Sequence, residues 1–172
     1  MKRVISVLVE NRFGAFDRIA TMFSGKGFNI MSISIGQTEI SDLSRMTIVT
    51  SGDEQILDQV IKQLNRLIDT VKVVDLSSLP RTERELVLIK VNYLNHSLAE
   101  IKNICNIFRG KIVDINHKSM TIEITGPPAK IDAAVNLLNQ YGILAIARSG
   151  TVALKRGEQF TQTKKQKENS LN

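Results

Sequence analysis

A repeated phrase confines this chain to a narrow set of folds: Met46-Thr47-Ile48-Val49-Thr50-Ser51-Gly52 returns as Met120-Thr121-Ile122-Glu123-Ile124-Thr125-Gly126, seventy-four positions on. The match continues past each glycine, where Leu57, Ile61, Leu64 and Asn65 meet Ile131, Val135, Leu138 and Asn139 at the same spacing. An earlier block, Phe23-x-Gly25-Lys26-x-x-Asn29-Ile30, matches Phe108-x-Gly110-Lys111-x-x-Asp114-Ile115 at a spacing of eighty-five. A shortened loop or strand end accounts for the eleven-residue difference, because Gly36 to Leu43 has only Asn116 to Ser119 to face it. One fold unit used twice is expected, with functional residues in one copy.

The 172 residues suit two units of about 75 residues each, small enough that mutual packing or oligomerisation is expected. Hydrophobic residues at 42% and charged residues at 23% describe a globular chain and exclude disordered and membrane-spanning classes. The net charge of +6 invites a nucleic-acid reading, but five basic and two acidic residues fall from Lys155 onward, so half of the excess sits in a tail. That tail, 157–172, is polar and expected to be disordered. Cys105 is the single cysteine, which rules out an internal disulfide or a multi-cysteine metal site and fits a reducing compartment. Its counterpart at the spacing of the earlier block is Ala20, which suggests a small buried side chain and not a nucleophile. The first apolar run stops at Glu10, too short for a signal peptide or a membrane span. A cytoplasmic or organellar location is expected.

The order of elements is strand, helix, strand, strand, helix, strand. Val4 to Val9 is an apolar β-branched run; Phe16, Ile19, Ala20, Met22 and Phe23 then fall at helical spacing and end at Gly25 and Gly27. Strands follow from Phe28 to about Gly36 and from Arg45 to Thr50. A second helix after Gly52-Asp53 carries an apolar stripe of Ile56, Leu57, Val60, Ile61, Leu64 and Ile68, and Val71 to Leu76 closes the unit. The second copy offers Glu85 to Val91, a helix from about Ser97 to Phe108, strands at 111–115 and 120–124, a helix from Pro128 to Tyr141, a strand near 143–148 and a short closing strand at 151–154. The fold class is therefore α+β, two tandem ferredoxin-like βαββαβ units, each an antiparallel sheet with its helices on one face. Expected boundaries are 1–77 for the first unit, 78–84 for a linker around Leu79-Pro80-Arg81-Thr82, and 85–156 for the second.

The first strand-to-helix turn, Glu10-Asn11-Arg12-Phe13-Gly14-Ala15-Phe16, differs in chemistry from its counterpart Asn95-His96-Ser97-Leu98-Ala99, which lacks the glycine. Gly14 permits a backbone conformation or a close approach that a Cβ obstructs. The free N–H groups of the following helix favour a small anion, and Asn11 offers both a donor and an acceptor. Asn29 opens the next strand, expected to lie beside the first, with neighbouring units able to meet along exposed edges. The same residues also fit a structural role, with Asn11 capping a turn, Gly14 making it and Asn29 starting a strand.

Asn11-x-x-Gly14-Ala15-Phe16 after an apolar strand, with Gly27-Phe28-Asn29-Ile30 opening the next, resembles an ACT domain, an amino-acid-sensing module. Further matches at Leu43-Ser44-Arg45-Met46-Thr47-Ile48, Gln63-Leu64-Asn65-Arg66-Leu67, Arg84-Glu85, Phe108-Arg109-Gly110 and Ala147-Arg148-Ser149-Gly150 are similar to the small regulatory subunits of acetolactate synthase, over about Met1 to Gly157. The resemblance implies an N-terminal ACT domain and an ACT-like C-terminal domain without a catalytic residue, metal or cofactor of their own. It implies a large catalytic subunit as partner, carrying thiamine diphosphate, Mg and FAD, which this chain activates and makes sensitive to valine or another branched-chain amino acid. By carry-over Asn11, Gly14, Ala15, Phe16, Asn29 and Ile30 line an effector site between two protomers of a homodimer, in the cytoplasm or a plastid stroma. Phe13 and Phe16 are bulkier than the family often has.

Two other readings compete. An ACT-type sensor for a different client enzyme keeps the fold. An RNA-binding module shares the strand order, but its sheets expose stacking aromatics, whereas these strands carry Val, Ile, Met and Thr. Independent catalysis has little support: His96 and His117 stand alone, and Gly25-Lys26-Gly27 is too short for a phosphate loop.

Overall fold

The computed structural model describes residues 1–93 and 98–157, so the turn at Asn95-His96-Ser97 and the expected disorder beyond Gly157 lie outside the described residues. The chain divides into two compact units, Met1–Thr82 together with the segment from Val152, and Glu83–Thr151.

In the first unit, β1 (Lys2–Glu10), α1 (Ala15–Lys26), β2 (Asn29–Gln37), β3 (Leu43–Ser51), α2 (Glu54–Leu64) and β4 (Thr70–Asp75) build an antiparallel sheet in the order β2-β3-β1-β4. The apolar run of β1 does not alternate with polar residues because both of its faces are covered. Ile5, Val7 and Val9 form one core with Ile19, Phe23, Met46, Ile48, Val60 and Leu64. On the opposite face Val4 and Val49 pack with Leu76 and Ala153. Ala153 lies in β9 (Val152–Lys155), whose amide donates to Thr47 Oγ1 at 3.3 Å, while the following Arg156 N–H donates to Pro80 O at 2.8 Å. By compactness these four residues group with the first unit, although the expected second unit, 85–156, includes them. Val4 and Val49 need an apolar cover, and β9 supplies it.

α2 stops at Leu64, where Asn65 Nδ2 donates back to Ile61 O at 2.9 Å, so Ile68 leaves the expected stripe and is exposed. Leu57, Val60 and Leu64 remain fully buried, each contributing about 1.5–3 kcal/mol of burial; truncating Leu64 to Ala would cost about 2–5 kcal/mol.

The second unit repeats the plan with β5 (Arg81–Asn92), α3 (Leu98–Ile107), β6 (Lys111–Ile115), β7 (Ser119–Gly126), α4 (Pro128–Leu138), a 3₁₀ turn (Asn139–Tyr141) and β8 (Ile143–Arg148), its sheet ordered β6-β7-β5-β8. Much of the expected linker is strand: β5 starts at Arg81, whose Nη1 donates to Leu76 O and Ser77 O at 3.0 and 2.9 Å.

The repeat at seventy-four is structural. Met46 faces Val7 as Met120 faces Val91, α2 and α4 start and stop in step, and Asn65 and Asn139 cap both. The match at eighty-five is not. Gly27 and Arg109 are the left-handed residues that end α1 and α3, and the next amide donates five residues back in each, Phe28 N to Phe23 O at 3.0 Å and Gly110 N to Cys105 O at 2.7 Å. Cys105 thus corresponds to Phe23 and not to Ala20. Both are buried, and burial pushes the Cys105 thiol above its ordinary pKa, which leaves it a packing residue. Gly110 is there for a close approach: a Cβ would meet Glu123 O and Ile124 Cγ1 at 3.0 Å and Cys105 Sγ at 3.1 Å. The edge strands differ in length, nine residues in β2 against five in β6, so the shortening falls in the strand as well as in the connection.

Candidate functional site

β1 ends at Glu10, whose N–H donates to Asp69 O at 2.9 Å, and the chain then turns through 11–14 into α1. Asn11 ties that turn to the β2–β3 connection: its N–H donates to Asp42 O at 2.7 Å and its Nδ2 to Ser41 O at 3.3 Å. Gln37 Nε2, at the end of β2, donates to the same Ser41 oxygen at 2.9 Å. Asn11 and Gln37 are therefore joined through one carbonyl.

Gly14 is the N-cap of α1 at φ 80 and ψ −3, a left-handed conformation that glycine adopts without strain. It brings no side chain to the first amides of α1, whereas Asp53 caps α2 by accepting from Ile56 N at 2.8 Å. The Ala15 N–H donates to Arg12 O at 3.2 Å, but the amides after it have no side-chain cap, whereas α2 has one. Phe13 is fully exposed and Phe16 half exposed beside this turn, while Ala15 points into the protein.

Two residues that sequence reasoning missed complete the turn. Arg18, four positions past Gly14, grips Asp69 with a fork of two bonds, Nε to Oδ2 and Nη2 to Oδ1, the latter at 3.0 Å. That guanidinium holds the Asp69 carboxyl below its ordinary pKa against the opposing effect of burial. Arg12 pairs with Glu10 at 2.9 Å on the outside of the turn. Only the helical spacing from Gly14 could have pointed to Arg18. Nothing in the order of residues could have joined it to Asp69, fifty-one positions away.

Asn29 and Ile30 lie elsewhere. Asn29 faces Ser51 across β3, with Asn29 Nδ2 donating to Ser51 Oγ at 3.3 Å and Thr50 Oγ1 donating to Asn29 O at 2.6 Å. Ile30 packs against the core of the first unit. The expectation that β2 lies beside β1 is incorrect, because β3 stands between them. Since Ser51 also faces Lys2, Asn29 lies at the start of β1 and Asn11 at its end, about 26 Å apart at the rise of an extended strand. Within one chain the structure groups Asn11, Gly14, Ala15 and Phe16 and leaves Asn29 and Ile30 at the far end of the sheet. β2 is an edge strand, paired with β3 alone among the described residues, and it exposes Met31 and Ile35.

Several other motif residues hold the fold. Buried Glu85 receives Arg148 Nε and Nη2 at 2.7 and 3.2 Å, Arg148 Nη2 also reaches Asp132 at 2.7 Å, and Ser149 Oγ accepts from Leu86 N at 3.0 Å. Phe108-Arg109-Gly110 ends α3 as described above. Among the described residues no group of three or more His, Cys, Asp or Glu could hold a metal ion, and no helix is long and apolar enough to cross a membrane.

Comparison with known proteins agrees with this architecture. Residues 5–72 match the family model of the AHAS small subunit-like ACT domain, and residues 84–157 that of the small subunit of acetolactate synthase. The chain is 49% identical over 157 residues to the probable acetolactate synthase small subunit of Archaeoglobus fulgidus, covering 91% of this chain and 98% of that one. It is 46% identical over 159 residues to the acetolactate synthase small subunit of Haemophilus influenzae, covering 92% and 98%. The crystal structure of the acetolactate synthase small subunit from Thermotoga maritima superposes with a TM-score of 0.83 at 41% identity, over 92% of this chain and 99% of that one.

Proposed function

Because this chain belongs to the family of acetolactate synthase small subunits, we propose that it binds a large catalytic subunit, raises its activity, and confers feedback inhibition by valine or another branched-chain amino acid. The observation that carries this reading is the open, uncapped turn at Gly14 together with the free edge of β2. A twofold, antiparallel pairing of two β2 edges centred near Ile33 sets Asn29 of a second copy opposite Gln37. Gln37 shares Ser41 O with Asn11, so Asn29 and Ile30 from one copy and Asn11, Gly14, Ala15 and Phe16 from the other come to one seam. A homodimer is thus the unit that completes the effector site. Exposed Met31 and Ile35 favour such pairing, since a long apolar edge otherwise invites aggregation.

At that seam the open amides of α1 receive the acid end of the effector, and the asparagines hold its polar groups. A branched side chain gains about 0.8 kcal/mol per buried methylene, while lost freedom of motion offsets several kcal/mol, giving the modest affinity that suits a metabolite sensor. Inhibition requires the effector to favour one arrangement of the dimer over another; a tenfold preference is about 1.4 kcal/mol. Thiamine diphosphate, Mg and FAD belong to the catalytic partner, and the complex works in the cytoplasm or a plastid stroma.

The test is calorimetry of the full chain with valine, leucine and isoleucine, followed by assay of pyruvate consumption by the catalytic subunit with and without this chain. Saturable binding of one amino acid, activation, and inhibition by that same amino acid are expected. A chain that binds none of the three and leaves the catalytic rate unchanged would overturn the reading.

A further inference from the structure

Arg18 has three guanidinium nitrogens, and Asp69 occupies two of them. The third, Nη1, is the nitrogen nearest Gly14: a carbon in place of the missing side chain would sit 3.4 Å from Nη1 and 3.9 Å from both Cζ and Nη2. Asp69 is itself held, being buried and accepting the Glu10 N–H on its backbone oxygen at 2.9 Å. The fork is planar and fixed on one side, so its remaining face has a set direction. Beside it is the turn at Gly14, where α1 has no side-chain cap. The nearby charges are Asp17 on the same helix and the Arg12–Glu10 pair outside the turn.

Resting on the effector reading above, we propose that Arg18 is a further specificity-determining residue of the site, its free Nη1 face reading the ligand's carboxylate, and that Asp69 is the positioning residue that aims it. A lysine does not substitute, because one ammonium cannot both hold Asp69 through two bonds and present a fixed third donor.

The full-length chain is titrated with valine and with valinol, which keeps the isopropyl and ammonium groups but lacks the carboxylate. The wild type should prefer valine. Arg18→Gln should lose about tenfold or more of its valine affinity with little change for valinol, so that the preference narrows, and Arg18→Lys should not restore it. Asp69→Asn should narrow the preference in the same direction. An Arg18→Gln chain that still unfolds cooperatively on heating and keeps the wild-type preference would overturn the assignment. If that variant does not fold, the side-chain nitrogen resonances of Arg18 in the wild type decide: they should shift with valine and not with valinol, and resonances unmoved by bound valine would overturn it. A wild type that binds neither compound overturns the effector reading itself, and this inference with it.

Discussion

Asn11 and Asn29 stand at opposite ends of the first sheet: Asn11 follows Glu10, which faces Leu43, and Asn29 faces Ser51, which in turn faces Lys2. A ligand that touches both must therefore sit between two chains. Asn11→Ala and Asn29→Ala should each weaken valine binding by about tenfold or more. Mixed dimers of the two variants should regain one intact site per dimer, because one seam collects both substitutions and the other none. Calorimetric stoichiometry of the co-purified mixture checks this; a mixture as weak as either variant alone would place both residues in one chain's site.

Gly14→Asp should abolish valine inhibition while leaving activation of the catalytic subunit largely intact. Aspartate is among the side chains best tolerated at positive φ, so the fold is retained, and its carboxylate competes for the ground near Arg18 Nη1. The measurement is the inhibition curve of the reconstituted complex. Normal inhibition in this variant would refute the site.

Met31→Lys combined with Ile35→Lys puts two charges on the exposed edge of β2 and should disfavour edge pairing. Sedimentation equilibrium should show a dimer dissociation constant raised by about a hundredfold or more, with valine binding lost in proportion to the monomer formed. An unchanged dimer would move the interface off β2.

Thr70→Val should stabilise the chain by about 1 kcal/mol, because Thr70 Oγ1 is buried with no hydrogen-bond partner among the described residues and the unsatisfied hydroxyl costs that order of energy. Denaturant unfolding with an unchanged slope checks it.

Asp69 titrates below the ordinary carboxylate range because Arg18 binds its charged form. A carboxyl whose folded pKa is depressed contributes stability that is present above its unfolded pKa, about 3.9, and is lost as pH falls through the folded value. The stability gap between wild type and Asp69→Asn should therefore be constant above about pH 5 and shrink below about pH 4. Thermal unfolding across that range measures it, and a gap independent of pH would show that the ion pair contributes nothing to the fold.

Legibility followed burial. Met46, Ile48, Leu57 and Leu64 and their partners Met120, Ile122, Ile131 and Leu138 are all fully buried, so their spacing is held in both copies and the repeat at seventy-four was plain. The edge strands β2 and β6 pack on one side only and carry irregular register, with shifts between Ile30 and Ser32 and between Ile112 and Asp114. Similar letters ahead of them, such as Phe23 in α1 and Phe108 after α3, do not mark equivalent places. Gly14 and Asn11 were legible because a turn needs particular residue types at fixed offsets.

The order of residues determined which faces are apolar, where helices start and stop, and that one unit occurs twice, since these depend on near neighbours in the chain. Tertiary structure alone decided that β3 separates β1 from β2, that Ala153 closes over Val4, and that Asp69 turns Arg18 toward Gly14. Those are meetings between distant segments, and periodicity assigns a side chain to a face without naming what comes to cover it.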